Sequence, residues 1–156
     1  IRQYFETNGY CTSWKGKSWV ISPQVIQQVY TGYFGEQVFK AILENAACNV
    51  GSLPEKIWER ADWVVNDKLY VDVKFMSDSD FNQHVNAQSW ERKIRECGGS
   101  YIVVNVPRYA GNYSFTHTIQ LEGGANLPII NGLIDVETGA ILDKNVQAVL
   151  EKLNIV

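Results

Sequence analysis

Asp72 and Lys74 are the first residues in this sequence that could do chemistry as a pair. Both fall in the β-like run 68–76, and in a strand residues two apart point to the same face. Tyr70, Asp72, Lys74 and Met76 then share one face, and Leu69, Val71, Val73 and Phe75 the other. A carboxylate and an ammonium side by side can hold a divalent cation and a phosphate together, as phosphodiester hydrolysis requires. The same pair alone on an exposed strand would be a surface ion pair of little worth, so its neighbours decide its meaning.

Two further carboxylates supply those neighbours. Asp62 interrupts an aromatic and apolar run just before Trp63-Val64-Val65. With a three-residue loop, Asn66-Asp67-Lys68, Val65 opposes Leu69 and Asp62 falls opposite Asp72 on the same face; a two-residue loop would put them on opposite faces. Two carboxylates so placed repel unless a cation lies between them. Glu36 falls on a predicted helix, where at about 100° per residue it lies roughly 20° from Val25, Val29 and Leu43, within the apolar stripe. A carboxylate there is costly unless something pairs with it. Gly32 and Gly35 beside it would let another backbone come close.

The set Gly35-Glu36 on a helix, Ala61-Asp62 on a strand and Asp72-Val73-Lys74 on the next resembles the PD-(D/E)xK phosphodiesterase superfamily, to which restriction endonucleases and Holliday-junction resolvases belong. The resemblance spans about residues 32–106 and departs from the motif's name in having Ala61 where proline is written. It implies a restriction endonuclease-like core and a Mg²⁺ or Mn²⁺ site with Asp62 and Asp72 as direct ligands. The Val73 main-chain carbonyl would assist, and Glu36 would hold the metal directly or through water. Lys74 would position the attacking water and stabilise charge on the phosphate. Gln88 resembles a glutamine that several families of this superfamily keep near the metal. DNA is the polymer the resemblance implies before RNA, and endonucleolytic cleavage the mode.

Basic residues interleaved with aromatics suit phosphate pairing and base stacking. Trp14, Lys15, Lys17 and Trp19 near the N-terminus, and Arg92, Lys93 and Arg95 on a second predicted helix, are therefore candidates for nucleic-acid contact. A solvated helix face would explain the second group as well. His84 and His117 form no metal-ligand pair at helical spacing and read as packing or polar surface. The segment Glu122-Gly123-Gly124-Ala125-Asn126 lacks Gly-Lys-Ser/Thr and is not a phosphate loop.

The elements that must position these groups follow from local signals. Residues 1–21 read as an irregular arm or short hairpin. A helix with Ser22 as N-cap and Pro23 in its first turn runs to about Ala47. Strands are expected over 57–65 and 68–76, a helix over 80–97 closed by Gly98-Gly99, and a strand buried on both faces over 100–106. Strands over 113–121 and 129–135 and a helix from Asp143 to about Asn154 complete an α/β fold, a mixed central sheet flanked by helices.

With 156 residues, 46% of them hydrophobic and 20% charged, the chain is that of one globular domain. It divides into an arm (1–21), a catalytic core (22–106) and a C-terminal extension (107–156). Ile1 comes first and Met76 is the single methionine, so a longer parent polypeptide is expected. A net charge of −3 excludes a protein that coats nucleic acid through a broadly basic surface, so any such contact must be local. Three scattered cysteines fit neither a disulfide framework nor a zinc ribbon, which suits a cytoplasmic setting inside a cell. No apolar run reaches the roughly 20 residues that span a bilayer. Two other readings stand beside a DNase: an RNase or tRNase toxin module with a cognate protein inhibitor, and a non-catalytic domain of nuclease fold that binds nucleic acid or protein. A homodimer is compatible with all three.

Overall fold

The computed structural model describes residues 11–15, 18–21, 23–109, 115–121 and 123–153. Two compact units make up the chain, Ile1–Phe34 and Gly35–Val156. In the first, strands β1 (Cys11–Lys15) and β2 (Ser18–Ile21) form an antiparallel hairpin in which Trp14 pairs with Trp19. Helix α1 follows (Pro23–Asn45). The apolar positions of α1 do not share one fate. Phe39 and Leu43 are fully buried, whereas Ile26 is 55% exposed and Val29, Tyr30, Tyr33 and Phe34 are exposed as well.

The second unit is an α/β fold built on a six-stranded mixed sheet. Its strands are β3 (Val50–Gly51), β4 (Trp63–Val65), β5 (Leu69–Lys74), β6 (Ser100–Arg108), β7 (Phe115–Gln120) and β8 (Asn126–Asp135), in the spatial order β3-β4-β5-β6-β8-β7. Pairings β5–β6 and β6–β8 are parallel and the rest antiparallel. Parallel neighbours need a crossover, and helices α2 (Asp78–Ala87) and α3 (Trp90–Cys97) supply it between β5 and β6. Helix α4 (Asp143–Glu151) ends the fold.

Strand alternation divides the interior into two layers. Leu69, Val71 and Val73 of β5 pack with Phe39 and Leu43 of α1 and Val146 and Val149 of α4. On the other face, Tyr70 and Met76 pack with Phe81 and Val85 of α2 and Trp90 and Cys97 of α3. Asp72 and Lys74 share that second face by alternation, so they open toward α2 and α3.

Two sequence expectations are corrected. The run 57–65 is not one strand: Pro54 precedes a 3₁₀ turn at Glu55–Ile57, and extended pairing begins at Trp63. The predicted helix 80–97 is two helices, because Gln88 leaves the helical region (φ −93°, ψ 149°) and α3 starts afresh at Trp90. Ser77 caps α2 by accepting from the Asp80 N–H at 3.3 Å, while Gly98 at φ 71° closes α3 as expected. Among the described residues, no helix is long and apolar enough to cross a membrane.

The uneven burial of α1 sets a stability test. Leu43→Ala should destabilise by about 2–5 kcal/mol through the cavity it leaves. Ile26→Ala should stay within about 0.5 kcal/mol, as for an exposed position. Chemical denaturation of the two variants measures both, and equal losses would contradict the burial assigned to this helix.

Candidate active site

The turn between β4 and β5 decides whether the carboxylates meet. Asn66 and Asp67 both take positive φ, 51° and 55°, a conformation that Asn and Asp tolerate better than other side chains. The Lys68 N–H donates to the Val65 carbonyl at 3.0 Å, and Val65 pairs with Leu69, Val64 with Tyr70 and Trp63 with Val71. The loop has the three residues that bring Asp62 opposite Asp72. Beyond the last paired residue, the Asp62 N–H still donates to the Val71 carbonyl at 2.9 Å. The Asp62 carboxylate then turns along β5 and accepts from the Val73 N–H at 2.7 Å. One residue's N–H and C=O point to the same side of an extended strand, so the Val73 carbonyl is directed to that edge too.

Asp62 is held from behind as well. The Tyr101 hydroxyl donates to the Arg60 carbonyl, and the Arg60 guanidinium pairs with Glu96 of α3. Burial, followed by the charge of Asp72, pushes the Tyr101 phenol far up, so it remains a donor.

Glu36 arrives from α1. A Cβ on Gly35 would lie 2.9 Å from the Phe75 Cβ, so glycine is what allows the helix this close to the end of β5. Among the described residues, nothing lies within 4 Å of a Cβ placed on Gly32. The Trp63 indole N–H donates to the Glu36 carbonyl at 3.0 Å and fixes the helix against β4. In that position the Glu36 carboxyl is within hydrogen-bonding reach of Asp62. Burial, this contact with Glu36 and the charge of Asp72 push the Asp62 carboxyl up to about 8, against the pull of the Val73 N–H.

Asp72 is 5% exposed. Its Oδ2 lies 3.4 Å from Lys74 Nζ and 3.7 Å from His84 Nε2. Burial alone would raise this carboxyl, but His84, Lys74 and Lys93 outweigh it and hold it below the ordinary value. For Lys74 burial works downward and is outweighed by Asp72, Asp62 and Glu36, so the side chain is held as an ammonium.

The end of β5 is clamped by a buried amide network. Asn105 of β6 accepts from the Met76 N–H at 3.0 Å and donates to the Met76 carbonyl at 2.9 Å and to Asn131 Oδ1 at 2.8 Å. Asn131 in turn donates to Asp78 Oδ1 at 2.8 Å. These bonds fix where the chain leaves Lys74 and where α2 begins.

Glu36, Asp62, Asp72 and Lys74 thus come together, and other expected residues do not. Gln88 ends α2 in an exposed position, with its Oε1 3.5 Å from Lys93 Nζ rather than beside a carboxylate. The basic run is divided. Lys93 lies 5.0 Å over the Trp90 ring and acts on Asp72, Arg92 pairs with Glu96 at 2.9 Å, and Arg95 is exposed. Trp14, Lys15 and Trp19 lie on β1 and β2, where only the backbone is described, and Lys17 lies outside the described residues. His84, read from sequence as packing or polar surface, stands beside Asp72 instead. Its spacing from Phe81 and Val85, on the buried face of α2, was the available signal.

Hard cations take oxygen ligands, and these residues offer carboxylates around a buried Asp72 Oδ2 that, among the described residues, has charged neighbours but no hydrogen bond. Among the described residues, no three His, Cys, Asp or Glu side chains form a closed metal-binding group. Mg²⁺ is commonly held by one or two carboxylates with water and phosphate completing the shell, and the donor set fits that open kind of site. No protein-family model matches the chain, and no curated protein matches it either.

The raised Asp62 carboxyl sets a pH dependence. A carboxyl with folded pKa near 8 binds its proton more tightly folded than unfolded. Its contribution to stability is complete below about pH 4 and is lost as pH rises toward 8. Asp72, shifted downward, acts in the opposite sense only at acid pH. In EDTA, Tm should therefore fall between pH 5 and pH 8 more steeply for wild type than for Asp62→Asn. If Mg²⁺ binds here it competes with that proton, and the Tm gain on adding Mg²⁺ should then grow over the same interval. A gain that shrinks with pH, scanned calorimetrically, would contradict the raised Asp62 carboxyl.

Proposed function

We propose that this chain is a Mg²⁺- or Mn²⁺-dependent nuclease of the PD-(D/E)xK type that hydrolyses phosphodiester bonds, in DNA before RNA, and works inside a cell. The observation that carries the reading is the convergence of Glu36, Asp62, Asp72 and Lys74 at the β4–β5 pair, with Asp62 opposite Asp72. A surface ion pair would need neither the buried Asp72 nor the Val73 N–H that orients Asp62.

In this reading Asp62, Asp72 and the Val73 carbonyl hold the cation, and Glu36 does so directly or through water. The bound ion would supply Lewis-acid polarisation of the phosphate and activation of water near neutrality. Asp62, whose carboxyl is raised, would have to give up its proton to hold the ion. Lys74, an ammonium beside Asp72, orients the attacking water and stabilises charge that grows on the phosphate oxygens. It acts as a donor, not as the base. Lys93 adds positive charge from the α3 side, where the polymer's phosphates would approach.

Cleavage of single-stranded, double-stranded and branched DNA and of total RNA, each with Mg²⁺, Mn²⁺ or EDTA, tests the reading. The wild type should cut DNA only with metal, and Asp72→Ala and Lys74→Ala should each lose about 10²–10³-fold in rate. Cleavage confined to RNA would favour the toxin module. Activity retained in both variants would place the chemistry elsewhere. A folded protein that cleaves nothing and takes up no Mn²⁺ would be a binding module.

A further inference from the structure

Two solvent-excluded side-chain atoms among the described residues lack any hydrogen-bond partner, and they face each other. They are Asp72 Oδ2 and His84 Nε2, 3.7 Å apart. Such atoms are rarely left unpaired, and each instance asks for a missing partner. The imidazole is not a surface group that fell there by chance. Phe81 and Val85, three residues before it and one after, are buried and fix the face of α2 that points inward. The ring stands edge-on to Trp90, with centroids 5.7 Å apart and planes at 78°. Trp90 is itself buried and anchored by its indole N–H on the Val85 carbonyl at 2.8 Å.

The distance is informative. At 3.7 Å the two atoms are too far apart for a hydrogen bond. Carboxylate oxygen and imidazole nitrogen are, however, both common ligands of divalent cations. Lys74 Nζ, 3.4 Å from the same oxygen, is the competing positive group. A lysine on a flexible four-carbon stem can turn aside, whereas the packed imidazole cannot.

We propose that His84 Nε2 is a nitrogen ligand to the cation held by Asp72, so that the site favours ions that accept imidazole, such as Mn²⁺, Co²⁺ or Zn²⁺, over Mg²⁺ and Ca²⁺. The assignment rests on Asp72 being a cation ligand, as in the nuclease reading. It adds what that reading lacks, a donor from α2 and a reason for metal preference.

Pulsed electron paramagnetic resonance of Mn²⁺ bound to the full chain tests this without reference to catalysis. Wild type should show Mn²⁺ coupled to a directly bound nitrogen, and the pattern should change when the protein is grown with ¹⁵N-histidine. His84→Gln keeps His117, and it should lose the histidine coupling and bind Mn²⁺ at least ~10-fold more weakly. Its Mg²⁺ binding should change far less. Mn²⁺ bound without histidine nitrogen, unchanged Mn²⁺ affinity in His84→Gln, or no Mn²⁺ uptake by wild type would each overturn the proposal. Because the coupling is read on wild type, a poorly folding variant does not remove the test. Histidine-coupled Mn²⁺ in a protein that cleaves no nucleic acid would keep this ligand and sink the nuclease reading. Metal-dependent cleavage with no histidine on Mn²⁺ would do the reverse.

Discussion

The register of one short turn governs the candidate site. A strand's side chains alternate with a period of two, so a slip of one residue between β4 and β5 would send Asp62 to the face opposite Asp72. Asn66 and Asp67 prevent that slip by adopting left-handed conformations. Asn66 is also tied to the neighbouring edge: its Oδ1 accepts from the Asn49 N–H at 2.8 Å, and its own N–H donates to the Asn49 carbonyl at 2.7 Å. The turn is thus held by β3's approach as well as by its own geometry. Everything downstream, from the Val73 N–H on Asp62 to the contact with Glu36, presupposes this register.

Charge is the second constraint. Three carboxylates brought to one strand pair would repel, and a buried one such as Asp72 would be costly alone. The fold distributes compensation unevenly. Asp72 is surrounded by Lys74, His84 and Lys93, whereas Asp62 has a backbone N–H and a neighbouring Glu36. One carboxyl is thereby pushed below its ordinary value and the other far above it. Strongly perturbed titratable groups cluster at functional sites. Rigid support on either side, from Asn105 at the end of β5 and Arg60 and Tyr101 behind Asp62, keeps the groups in place.

Much of this was legible in the sequence. The period-two pattern of β5 assigned Asp72 and Lys74 to one face, and the β6 run was recognisable as a fully buried strand. The turn left two registers open, and the left-handed Asn66 and Asp67 selected between them. What local pattern could not give depends on tertiary packing. Helicity stops at Gln88 although the residues around it are tolerable helix formers, so local pattern alone carries a helix through Ser89. That break removes Gln88 from the site and turns Lys93 toward Asp72. His84 was missed because its partner is on a strand, not at helical spacing. Apolar residues recur along the whole of α1, yet Phe39 and Leu43 are buried whereas Ile26, Val29 and Tyr30 are exposed.

The proposed function requires that these side chains make one cation site at the β4–β5 pair. An anomalous difference map from a crystal soaked in Mn²⁺ tests it most directly. The expected peak adjoins the carboxylates of Asp62 and Asp72, with Glu36 and Lys74 around it. A peak elsewhere on the molecule, or none in a crystal whose solution protein binds Mn²⁺, would contradict it.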